Sequence, residues 1–142
     1  IDQTLNDTDL IETLKQISEP EALVFIDYIQ KVPSKSERKT AIVSNKLQAV
    51  CKDLNIYMII GAQFNRAATM DKDTPPEMYQ LKDASEIEQD ASLILRIHKH
   101  TGQAEEERTV SVLKNREGIL KEQKVLFKGA DTSIIQLEQY TT

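Results

Sequence analysis

Ala22-Leu23-Val24-Phe25-Ile26-Asp27-Tyr28-Ile29-Gln30 is the stretch on which the reading of this chain turns. Its apolar start, Ala22 to Ile26, runs without alternation into Asp27. A continuous run rich in branched and aromatic residues reads as a strand buried on both faces, and such strands belong to parallel sheets covered by helices. An unpaired carboxylate buried at the end of such a run is costly unless it takes up a proton. At the carboxyl end of a parallel strand it points instead into the crevice where α/β folds bind ligands. There it can hold a magnesium ion, usually through water, beside nucleotide phosphates. The plainer alternative is a strand ending in a solvated turn, and only the flanking segments decide between them.

Upstream, Leu10, Ile11, Leu14 and Ile17 recur at helical spacing over residues 7–18. Asp7 or Thr8 can cap the start of that helix, and Pro20 follows its end. Downstream, Ser34 and Glu37 have the spacing of a capping box before a second helix. Val43, Leu47, Val50 and Leu54 mark its apolar stripe, with Cys51 at the margin as a small core hydrophobe. The other face carries Arg38, Lys39, Asn45, Lys46 and Lys52, which reads as a solvated face before it reads as a phosphate-backbone contact. Ile56 to Gln63 is then a second apolar strand that ends in a polar residue. Strand, helix and strand in succession form a βαβ unit with a right-handed crossover and a parallel pair. That topology places Asp27 and Gln63 at the same edge of the sheet, on neighbouring strands.

Residues 64–82 contain a long loop with a Pro75-Pro76 pair, and loops of that length in a compact domain are usually functional or mobile. Residues 83–91 predict a short helix whose acids serve its dipole before they serve a metal. Segments 92–98, 109–116, 124–128 and 133–137 follow, the later ones alternating, and suggest an antiparallel appendage. His98 and His100 share a face, but no Cys or close carboxylate completes a metal set.

The whole chain has 142 residues, enough for one domain, with a formal net charge of −5 and 29% charged residues. The acidic balance argues against a general polyanion-binding surface, so any nucleic-acid contact has to be local. One cysteine excludes an internal disulfide and fits a reducing cytoplasm. No apolar run reaches the roughly 18–20 residues that span a membrane, and no signal peptide is visible. The first residue is Ile1 rather than Met, as in a piece of a longer protein.

In order, these segments resemble the carboxyl-terminal half of the RecA-like motor of DnaB-type replicative helicases, from about Leu23 to Leu137. Leu23 to Gln30 looks like the family's Walker B strand, which characteristically continues Asp-Tyr-Leu-Gln. Ile60-Gly61-Ala62-Gln63-Phe64-Asn65-Arg66 is similar to the next motif, usually Ser-Gln-Leu-Asn-Arg. Leu81 to Ala91 resembles Leu-Arg-Glu-Ser-Gly-Ser-Ile-Glu-Gln-Asp-Ala, close to verbatim over Ile87–Ala91. Leu113-Lys114-Asn115-Arg116-Glu117-Gly118 resembles the Lys-x-Arg-x-Gly signature. Four such matches in order are specific where one is weak.

The resemblance implies an α/β fold, a partial RecA-like domain of the P-loop NTPase type. Its parallel sheet is flanked by helices and carries an antiparallel carboxyl-terminal appendage. The whole chain is one helicase domain fragment without its Walker A portion. ATP and Mg2+ are the implied cofactors. Asp27 matches the magnesium-organising aspartate, and Gln63 the glutamine that senses the γ-phosphate and links it to the DNA-facing loop. Lys114 and Arg116 match the cations that reach ATP held by the neighbouring subunit, Arg116 as the arginine finger. Residues i and i+2 of a strand project to one side, which fits that pair, while cross-strand pairing with Glu107 or Glu122 is the plainer role. Lys82, Asp83 and Ser85 match positions on the single-stranded DNA backbone. The implied assembly is a cytoplasmic hexameric homo-oligomer on single-stranded DNA, with a primase or helicase loader as further partner and no membrane.

Three departures stand against the pattern. Lys82 replaces an arginine, keeping charge but losing the planar fork. Ser85 stands where the family has glycine. No G-x-x-x-x-G-K-[ST] loop exists, since the glycines are at 61, 102, 118 and 129. The rival readings are a degenerate, non-catalytic RecA-like module that binds partners, and a recombinase-type or clock-type RecA-like ATPase.

Overall fold

In the computed structural model the described residues are 5–17, 19–34, 39–64 and 84–137. The chain divides into two compact units, residues 1–64 with 81–91, and residues 65–80 with 92–142.

The first unit begins with helix α1, Asp7–Ile17. Its cap is Asn6, whose Oδ1 accepts the backbone N–H groups of Thr8 and Asp9, each at 3.0 Å. Asp7, expected as a cap, spends its carboxylate on Lys46 at 2.7 Å and Ser34 at 3.4 Å. A residue with non-helical backbone before the first turn is better placed to reach those amides than one inside it. Asp7 is accordingly held below the ordinary aspartate pKa, chiefly by the hydrogen bond from Lys46.

Strand β1 is Leu23–Ile26, helix α2 is Lys39–Leu54 and strand β2 is Tyr57–Ile60. β1 and β2 pair in parallel, Leu23 opposite Tyr57 through Ile26 opposite Ile60. Val43, Leu47 and Val50 of α2 are buried as the stripe requires, with Leu47 only 1% exposed. They join Leu14, Ile29, Val32 and Ile56 in one core, against which Val24, Ile26, Met58, Leu54 and Cys51 pack. Burial raises the Cys51 thiol pKa, as befits a core hydrophobe. The strand differs from expectation in two ways. It ends at Ile26 rather than running to Gln30, because the chain turns at Asp27 and closes a 3-10 turn over Ile29–Lys31. It is also buried on one face only: Val24 and Ile26 meet the core, while Leu23 and Phe25 are exposed, Phe25 by 68%. The basic side of α2 is partly neutralised within the unit, Lys46 by Asp7, while Asn45 and Lys52 donate to Asp90 and Gln48. Arg38 and Glu37, and with Glu37 the capping box, lie outside the described residues.

Helix α3, Ala84–Asp90, is tied to α2 through its last residue. Asp90 accepts Ser44 Oγ at 2.7 Å and Asn45 Nδ2 at 2.9 Å, and its carbonyl accepts Gln48 Nε2 at 3.0 Å. Asp90 belongs to the stretch that matches its family pattern almost verbatim, and docking of α3 is its physical use. Asp90→Ala is expected to cost about 1.5–3 kcal/mol, the scale for hydrogen bonds to a charged group. Denaturant unfolding measures it, and an unmoved midpoint would mean that water replaces the carboxylate at no cost.

The second unit is an antiparallel sheet in the order β3-β4-β5-β6: Leu93–His98, Glu107–Asn115, Glu122–Lys128 and Ser133–Gln136. Among the described residues the appendage is thus four strands that pair in chain order. Its buried face is polar, carrying Arg96, His98, Thr109 and Ser111, while Leu93, Leu95, Ile97 and Ile134 are exposed. Among the described residues no helix is long and apolar enough to cross a membrane.

Candidate active site

Asp27 is the first residue after β1, and Gln63 lies three residues after β2. Because the strands run parallel, both emerge at the same end of the pair, as the βαβ topology demands. Two backbone hydrogen bonds hold the exits together: Gly61 N–H donates to the Ile26 carbonyl at 2.9 Å, and Ile29 N–H donates to the Gly61 carbonyl at 3.0 Å. Approach is close enough that a Cβ on Gly61 would lie 3.4 Å from the Tyr28 Cβ and 3.7 Å from Asp27 Oδ1. Asp27 and Gln63 are both exposed, so the carboxylate is open to water and to a ligand. Ile29, 2% exposed, is driven into the core immediately behind them and fixes the turn to the body of the unit.

Gln30 is a residue that the sequence did not single out. Its Nε2 donates to the Gln63 carbonyl at 3.1 Å, and its Oε1 accepts the Gln63 backbone N–H at 3.2 Å. Periodicity carries no signal for such a contact, since Gln30 stands outside any apolar stripe. Only its place in the Asp-Tyr-x-Gln pattern marks it.

Lys114 and Arg116 belong to the second unit, Asp27 and Gln63 to the first. Lys114 is the penultimate residue of β4 and Arg116 the first residue beyond it. The ladder shifts register there: Ile94 faces Lys114, but Leu95 faces Val112, leaving Leu113 as the extra residue of a bulge. A bulge moves the residues beyond it to the opposite face. Lys114 therefore shares the face of Ser111 and Thr109, whereas strict alternation would have put it on the other. Arg116 is exposed, with its backbone N–H anchored to the Ser92 carbonyl at 3.1 Å. The simple i and i+2 strand geometry does not apply, because Arg116 is already in the bend after the strand. Gly118 of the same signature lies beside Asn115: a Cβ there would come within 2.5 Å of Nδ2, the end of a side chain that can rotate away.

Glu122, weighed as a partner for these cations, is engaged elsewhere. It accepts a hydrogen bond from Ser111 Oγ, which chiefly lowers its pKa, and it pairs with buried Arg96 at 3.3 Å. Glu107 accepts the Ala104 N–H at 3.3 Å. His98 and His100 meet edge to face with Nε2 atoms 2.7 Å apart, one ring donating to the other. Burial first, then the Arg96 charge, pushes the His98 pKa down to about 4. Among the described residues no three His, Cys, Asp or Glu side chains group as metal ligands. Lys82 and Asp83 lie outside the described residues, and Ser85 is described only as part of the α3 backbone.

A family model described as DnaB-like helicase C terminal domain matches residues 2–136. The chain belongs to that family. It is 31% identical over 129 residues to the replicative DNA helicase DnaB of Mycoplasma genitalium, covering 80% of this chain and 28% of that protein. It is 37% identical over 82 residues to replicative DNA helicase DnaB of Buchnera aphidicola, covering 54% of this chain and 18% of that one. The chain thus spans less than a third of the length of these relatives. Among solved structures, a DnaB-like replicative helicase described with its interactions with primase superposes with a TM-score of 0.85 at 20% identity. That match covers 97% of this chain and 37% of the other. A second solved structure, described as an ATPase domain, gives 0.82 at 20% identity, covering 94% of this chain and 52% of its own. The fold is therefore the RecA-like fold of the DnaB family, a parallel pair with helices and a separate antiparallel sheet.

Proposed function

We propose that these residues are the carboxyl-terminal part of the motor domain of an ATP-driven hexameric replicative helicase. In the complete protein, ATP hydrolysis would drive translocation along single-stranded DNA and unwinding of duplex. The observation that carries this reading is the convergence of Asp27 and Gln63 at one end of the parallel β1–β2 pair, with backbone bonds of 2.9 and 3.0 Å locking the two exits. Asp27 is an exposed hard-oxygen donor of the kind that suits magnesium. Bound with ATP, magnesium would neutralise charge on the phosphates. The Gln63 carboxamide both donates and accepts, so it can sense the phosphate end of the nucleotide. Lys114 and Arg116 serve the nucleotide of a neighbouring subunit. Lys82, Asp83 and Ser85 are the residues that would contact the DNA backbone, and the Asp90 anchor fixes the far end of α3, the helix that contains Ser85. A primase or helicase loader is the expected further partner, the setting is cytoplasmic, and both units belong to one motor domain.

Backbone amides of a phosphate loop and its lysine supply most of the grip on a nucleotide, and these 142 residues contain no such motif. The chain alone should therefore show no magnesium-dependent ATP turnover. The full-length protein that carries it should hydrolyse ATP and unwind a forked duplex, and Asp27→Asn should abolish both. DNA binding without turnover in the full-length protein would favour the non-catalytic module. A monodisperse monomer of this chain with ATPase activity lost on Asp27→Asn would sink the reading.

A further inference from the structure

The pairing between Gln30 and Gln63 has a form that an incidental surface contact does not require. The Gln30 carboxamide presents one donor and one acceptor to the main chain of Gln63, at 3.1 and 3.2 Å. One backbone residue offers another the same pattern in a β-ladder. It prolongs the β1–β2 pairing beyond the ends of both strands, after the backbone bonds at Ile26, Gly61 and Ile29. The pair uses only the main chain of Gln63 and leaves that residue's carboxamide outside the bond. On one side it grips the turn that begins at Asp27. On the other it grips the last residues before the segment leading to Lys82 and Asp83.

We propose that Gln30 is a positioning residue for Gln63. Its carboxamide fixes the Gln63 backbone relative to the Asp27 turn, so that the Gln63 side chain is presented at the strand exits. Movement of either segment is then transmitted to the other. This inference rests on the nucleotide reading above. The chemistry is specific: a side chain lacking either donor or acceptor cannot satisfy both groups of Gln63, and one shorter by a methylene cannot span the gap without backbone movement.

The test uses the full-length protein with Gln30→Met, which keeps volume and flexibility but removes both bonds. Amide exchange in the peptide containing Gln63 should speed up. DNA-stimulated ATP turnover should fall by about tenfold, equivalent to about 1.4 kcal/mol and the size of one or two lost hydrogen bonds, while the ATP Kd changes by less than about twofold. In a Gln63→Ala background the same substitution should cost no further turnover, because a residue acting through Gln63 has nothing left to position. Unchanged exchange at Gln63 would overturn the proposal, as would additive losses in the double variant, which indicate a merely structural role. Wild-type turnover in Gln63→Ala alone would strike instead at the nucleotide reading, and the positioning role would fall with it.

Discussion

Replacing Arg116 with alanine in the complete ring is expected to leave ATP binding nearly intact and to cut hydrolysis by roughly 10³–10⁵. The asymmetry between binding and turnover follows from where an arginine finger acts. It meets charge that develops on the transferring phosphoryl group, so removing it raises the barrier more than it weakens the ground state. The local structure suits the task. Arg116 projects from a bend anchored at 3.1 Å to the Ser92 carbonyl, just beyond the Leu113 bulge and just before Gly118. Bulges are over-represented next to active sites because they re-aim side chains. If Arg116 acts in trans, rings mixed from Arg116→Ala and Asp27→Asn subunits should recover some turnover. Where an Arg116→Ala subunit holds the nucleotide and an Asp27→Asn neighbour supplies the finger, the interface pairs an intact finger with an intact aspartate; the reverse order stays inactive. Mixed rings with no recovery would count against the trans assignment.

What the sequence disclosed follows from which forces leave a periodic trace. The α2 stripe of Val43, Leu47 and Val50 was legible because burial on one helical face repeats every three to four residues. The shared edge of Asp27 and Gln63 was legible because a strand-helix-strand succession permits one handedness and one polarity. Other features leave no such trace. The end of β1 at Ile26 was invisible, since Tyr28 and Ile29 prolong an apolar run that the chain abandons to insert Ile29 into the core. The exposure of Leu23 and Phe25 depends on what lies over that face, and composition does not report it. Arg96 reads as an interruption in a strand, and only the register that sets it opposite Ser111 shows a buried guanidinium paired with the exposed carboxylate of Glu122. The bulge at Leu113 is a property of two strands together, so alternation along one strand alone does not report the face that Lys114 takes. Gln30 and Asp90 were covered by family patterns, but their physical uses appear only in the hydrogen bonds they make.

The largest loss of stability among changes near the site is expected from Ile29→Ala. Ile29 is 2% exposed and joins Leu14, Val43, Leu47 and Val50 in the core. Truncating a buried isoleucine to alanine removes apolar contact and leaves a cavity, at a cost of about 2–5 kcal/mol. The site should suffer beyond that figure. Ile29 lies between Asp27 and Gln30, and its backbone N–H makes the 3.0 Å bond to the Gly61 carbonyl. A side chain held in the core keeps that amide aimed at Gly61, and the same anchor fixes the turn carrying Asp27 and the Gln30 carboxamide. Without it the turn gains freedom, so in the full-length protein ATP turnover should fall even where folding remains complete. Ile29→Val separates the two effects. It keeps the branched anchor, costs about 0.5–1.5 kcal/mol, and should preserve turnover. Denaturant midpoints and turnover at low temperature, measured on both variants, decide it. Equal turnover in folded Ile29→Ala and Ile29→Val would mean that the Asp27 turn holds its position without the core beneath it.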